Sequence, residues 1–191
     1  MVKHKSFLSE LALSGIVLSF FFGMFMGPLH EAGHYLVFKL FGYDVTFHYD
    51  SISTPIPITD NNQAIAIMTA GWGITFAAEI VALFFVRRSK LFVFFSPIFV
   101  FSSIGIFDTV IDLMGFYHGD KFSIAQQTGL PFLLVCVAIL VLDGFFIALA
   151  SSYLHKSDRS MNEKWWLFWA VLIGFIGMIF WLFGIGPLLL P

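Results

Sequence analysis

Gly27-Pro28-Leu29-His30-Glu31-Ala32-Gly33-His34 lies inside an apolar run covering residues 8–41. On a helix, residues four apart share a face, so His30 and His34 can aim two imidazole nitrogens at one metal ion. Glu31 sits one step round the helix, placed to act as a general base toward a water at that metal. An ionisable group at bilayer depth costs about 2.5–3.5 kcal/mol on insertion scales. Three of them within five residues therefore call for a purpose, and a metal centre supplies one. The plainer alternative is a pair of helix histidines near a membrane interface with Glu31 as a neighbour.

The rest of the chain supports a bilayer setting. Of its 191 residues, 59% are hydrophobic and 12% charged, more apolar surface than a soluble domain can hide. A net charge of −2 provides no basic field for nucleic acid. The single cysteine, Cys136, excludes a disulfide framework and a cysteine-based zinc site. Met1-Val2-Lys3-His4-Lys5 has the charge of a signal sequence. The apolar run after it lacks a small-residue cleavage pattern and continues into the histidines, so an uncleaved first span is expected.

Five apolar stretches stand out, at about 8–41, 63–86, 91–113, 130–152 and 165–189. As a helix the first would measure roughly 51 Å against a hydrocarbon core near 30 Å. Pro28 lacks an N–H and crowds the carbonyl four residues back, so a tilted helix, a bent one or two pieces are all open. Lys3 and Lys5, then Arg87, Arg88 and Lys90, then Lys156, Arg159 and Lys164 occupy alternate connections. The connections between them carry Asp44, Asp50 and Asp60, then Asp120 with Lys121. This alternation predicts an all-α, polytopic transmembrane bundle of about five spans with a cytoplasmic N-terminus. One domain, 1–191, is expected, in a multi-pass protein of the plasma membrane.

Tyr43 to Tyr49 alternates around Val45, Phe47 and Tyr49, which suits a short strand, but an ordinary connecting loop is the preferred expectation. Pro55 and Pro57 follow in a segment that caps an edge or stays extended. Trp165, Trp166 and Trp169 suit an interfacial belt. Gly71, Gly73, Gly105, Gly174 and Gly177 are expected where helices pack closely.

A catalytic zinc site usually has three protein ligands and one open position, so the two histidines need a partner. With the first span ending near Gly42, His34 lies roughly 12 Å and His30 roughly 18 Å inside that end. Asp120, in His118-Gly119-Asp120-Lys121-Phe122, is on the same side, where a loop can dip inward. Asp143 is the alternative, a bare acid in an apolar helix about 20 Å below its outer end. Glu79 is set aside as too near the cytoplasmic side. Asp108 and Asp112 share a face, and either can accept the spare N–H of a ligating histidine. Asp108 is the stronger candidate for that supporting role, and Asp112 suits a polar helix end. His118 is most simply a loop residue, with an extra ligand or a transition-state donor as alternatives.

His30-Glu31-Ala32-Gly33-His34 in a membrane helix, a following span containing Ala70-Gly71 and a later aspartate resemble the site-2 protease class of intramembrane zinc metalloproteases. In that family the third zinc ligand is an aspartate, commonly within Leu-Asp-Gly, and Leu142-Asp143-Gly144 matches those letters. A divergent branch places a Gly-x-Asp or similar turn before a helix. Gly119-Asp120, with Ile124-Ala125 and Thr128-Gly129-Leu130-Pro131, resembles that branch more closely. Asp120 is accordingly preferred and Asp143 kept as the alternative.

The resemblance implies a Zn2+-dependent peptidase with Glu31 catalytic and His30, His34 and Asp120 as ligands. Its substrate would be a transmembrane or membrane-proximal polypeptide. Two other functions fit the residues: a non-catalytic scaffold or transporter, and a membrane zinc hydrolase acting on a non-peptide bond.

Overall fold

The apolar stretches become helices whose ends are set by polar caps and glycines. The structure, a computed structural model, describes residues 18–48, 51–55, 57–89, 94–115, 119–156 and 160–180. Among them the order is α1 (Leu18–Leu40), β1 (Thr46–Phe47), β2 (Ile52–Ser53), α2 (Asn61–Ser89), α3 (Phe95–Leu113), α4 (Asp120–Thr128), α5 (Phe132–His155) and α6 (Met161–Phe180). The chain is mostly helical. Among the described residues three helices are long and apolar enough to cross a membrane: Asn61–Arg88 within α2, Phe95–Leu113 and Phe132–His155. The first expected stretch is described from Leu18 onward and the last as far as Phe180.

Helix α1 runs unbroken through Pro28. It ends in a left-handed turn at Gly42, φ +80°, where a side chain would be strained. There the Gly42 N–H donates to the Lys39 carbonyl and the Tyr43 N–H to the Phe38 carbonyl, while the Phe38 and Tyr43 rings meet edge to face. These are the paired bonds and apolar contact of a Schellman ending. The chain then folds back through a minimal antiparallel hairpin, with Thr46 opposite Ser53 and Phe47 opposite Ile52. The segment thus forms a two-residue strand where an ordinary loop was preferred; Tyr49 lies outside the described residues. Asp60 starts α2, its Oδ1 accepting the Asn62 and Gln63 N–H groups at 2.8 and 2.9 Å.

Helix α4 lies outside the five apolar stretches, and only the family resemblance implied a helix after Gly119-Asp120. It is nine residues long, opened by Gly119 in an extended conformation and closed by a left-handed Gly129. A helix this short has too few turns to show a periodic apolar face.

The contacts divide into two units: residues 1–24, 79–102 and 146–191, and residues 25–78 and 103–145. In the first, Ala82, Val86, Ile98, Val100, Ala150, Ala170 and Val171 are buried. Glu79 is buried there too, its Oε1 accepting the Ser102 hydroxyl at 2.7 Å. Helix α6 begins with a reciprocal cap, Ser160 N–H donating to the Glu163 carboxylate and Glu163 N–H to the Ser160 hydroxyl. Trp165, Trp166 and Trp169, on its first turns, are exposed.

In the second unit Phe38, Val45 and Ile67 form a core beneath Tyr35, Tyr43, Ile52 and Met68. Gly33 of α1 faces Ala70-Gly71 of α2 so closely that a Cβ would collide with the Ala70 carbonyl oxygen. In lipid, helices associate by packing rather than by escape from water, and small residues permit this approach. Gly105 also fits that expectation, lying against the Asp143 carboxylate. Gly73 and Gly177 do not, since an added Cβ at either meets nothing within 4 Å. Leu133, Val137, Val141 and Phe145, successive at four-residue spacing in α5, are 61, 44, 64 and 57% exposed. So apolar an outer row suits hydrocarbon and not water.

Candidate metal centre

Three helices of the second unit converge on one point. Helical spacing on α1 brings the Nε2 atoms of His30 and His34 to 3.0 Å from each other. The first residue of α4 brings Asp120 Oδ2 to 2.9 Å from His30 Nε2 and 3.0 Å from His34 Nε2. Tetrahedral ligands about 2.0–2.1 Å from zinc lie ~3.3 Å apart, so this triangle has nearly the size that a shared ion requires. Helix α2 shapes the floor. A Cβ on Gly71 would stand 2.6 Å from the Nε2 atoms of both histidines, so any side chain there would fill the position.

The protonation pattern points the same way. His34 Nδ1 lies 2.6 Å from the Ile67 carbonyl oxygen, which can only accept, so Nδ1 carries the proton. A neutral His34 therefore presents the Nε2 lone pair to Asp120, itself an acceptor. Two lone pairs facing at 3.0 Å repel unless a cation lies between them, and a proton or a metal ion meets that need. Burial alone would raise the Asp120 carboxyl, but the adjoining His30 and His34 outweigh it and hold Asp120 below the usual carboxylate range. Glu31 offers a carboxylate oxygen within 4.8 Å of the histidine nitrogens and is partly buried.

The remaining candidates are placed elsewhere. Asp143 is buried against Gly105, and its Oδ2 has no hydrogen-bond partner among the described residues. Asp108, expected to orient a ligating histidine, instead accepts from the Lys121 ammonium. Asp112 does so as well, at 2.7 Å. The orienting acceptor for His34 is a main-chain carbonyl, that of Ile67. The reason is electrostatic: Lys121 is 1% exposed, and a cation so desolvated must be met by carboxylates. His118 lies outside the described residues.

Lys121 and Trp72 also stand at the centre, where neither was expected. The Lys121 ammonium stands 4.5 Å from the centre of the Trp72 ring, whose edge-to-face neighbour at 5.8 Å is His30. A lysine beside a candidate ligand, with two acids four apart on the preceding helix, was the available signal. No family profile, curated protein or solved structure matches this chain.

Proposed function

We propose that the chain is an integral membrane zinc metalloprotease that hydrolyses peptide bonds within or beside the bilayer. The observation that carries this is the convergence of His30 Nε2, His34 Nε2 and Asp120 Oδ2 within 3.0 Å of one another. These three residues would hold the ion. Zinc there would supply Lewis acidity for the scissile carbonyl and a water of lowered pKa. Glu31 takes the proton from the attacking water and returns it to the leaving amine. The Ile67 carbonyl keeps His34 in the tautomer that presents Nε2. The substrate segment must unwind locally, because a helical peptide bond is shielded by its own hydrogen bonding.

The test is metal content followed by activity. Purified protein should hold about one zinc per chain, and His34→Ala should abolish it. Equal, negligible zinc in both after reconstitution would remove the basis for the metalloprotease assignment. Zinc without cleavage of any transmembrane peptide would favour the scaffold or the non-peptide hydrolase.

The proposed topology has five spans, α1, α2, α3, α5 and α6, in a multi-pass protein of the cell membrane with its N-terminus in the cytoplasm. The alternation of Lys and Arg between connections supports it. In a Cys136→Ser background, Ser51→Cys should react with an impermeant maleimide from outside intact cells. Asp158→Cys should react only after the membrane is opened. The opposite pattern would invert the orientation.

A further inference from the structure

Helix α4 presents a problem of attachment. It supplies Asp120, yet nine residues are too few to be stable alone, and its buried residues are Lys121 and Ala125. Phe122, edge to face with Phe132, and Ile124 are half-buried beside Ala125. The fully buried charge of α4 is Lys121, and its ion pairs are the directional tether of the helix.

Its geometry is specific. Successive helical residues diverge by about 100°. Asp120 thus turns toward the α1 histidines while Lys121 turns toward α3. There the ammonium bonds to Asp108 Oδ2 and, at 2.7 Å, to Asp112 Oδ2, beneath the Trp72 ring at 4.5 Å. The same ring contacts His30 on α1. We infer that Lys121 is the positioning residue of the metal centre: clamped by Asp108 and Asp112 and covered by Trp72, it fixes the turn of α4 that presents Asp120 to His30 and His34. The Lys121 ammonium faces Asp108, Asp112 and Trp72, and it acts through Asp120. The inference rests on the metal-centre assignment above.

Cobalt(II) titration of the full-length protein in detergent, read by its d–d absorption, tests both and separates them. Wild type should bind one cobalt with the intense bands of a low-coordinate site. Lys121→Met should bind at least tenfold more weakly, on the scale of lost supporting contacts, with altered bands. Asp108→Asn/Asp112→Asn, changed on α3 alone, should reproduce both effects, and adding Lys121→Met to that pair should weaken binding no further, because the three act as one tie. Wild-type affinity and spectrum in Lys121→Met overturn the positioning role and leave the metal centre standing. No cobalt site in wild type overturns both. If Lys121→Met does not fold, the α3 pair decides: a tenfold loss with altered bands supports the role, and an unchanged titration overturns it.

Discussion

Glu31→Gln is expected to keep its zinc and to lose hydrolysis of a transmembrane peptide by about 10²–10⁴-fold, the usual contribution of a positioned acid–base group. The substitution preserves size and one carbonyl oxygen, so the packing of α1 is unaffected. What disappears is the capacity to accept a proton near neutral pH. The Glu31 carboxylate is close enough to the histidine nitrogens, within 4.8 Å, to serve a water in that space. The sharpest check measures zinc by elemental analysis and cleavage by mass spectrometry on the same preparation. Loss of zinc would make Glu31 a ligand. Unchanged cleavage would end its assignment as the base.

The second large effect separates two aspartates. Asp120→Asn should weaken zinc binding at least tenfold, because the amide removes the charge that faces the ion. Asp143→Asn should leave affinity nearly intact. Asp120 Oδ2 stands 2.9 and 3.0 Å from the two ring nitrogens, whereas the Asp143 carboxylate lies against Gly105. A competitive chelator titration of the two variants ranks them directly. The reverse ranking would move the third ligand to α5.

The long helices were legible because their apolar runs exceed anything a loop or strand tolerates. Observed α2 begins two residues before and ends three past the stretch expected at 63–86, and α5 begins two residues inside the stretch expected at 130–152 and ends three past it. Polar ends lengthen a helix without altering its apolar signal, and Asp60 caps α2 just before its first residue. The facing of His30 and His34 was legible for a similar reason, since helical spacing is local. Helix α4 was hidden by its brevity and by a sequence that leaves Lys121 and Ala125 as its buried residues. Asp108 was legible as an acceptor, but the donor that it meets was not. Two acceptors compete for a cation or a histidine N–H according to which comes closest, and that depends on a tertiary approach of α4 to α3. Gly71 and Gly105 were correctly expected at close approaches, whereas Gly73 shows that a glycine in an apolar helix does not by itself mark a crossing.

The contact of Gly33 with Ala70-Gly71 has a consequence for access. Main chain rests on main chain there, so no rotamer can swing aside to open a doorway between α1 and α2 at that level. A lateral gate at this crossing would have to displace a whole helix. The three convergent residues differ in the same sense: the His34 side chain is 8% exposed, while those of His30 and Asp120 are 20 and 23% exposed. Solvent therefore reaches the three side chains from the side of His30 and Asp120, with His34 and the sealed crossing behind them.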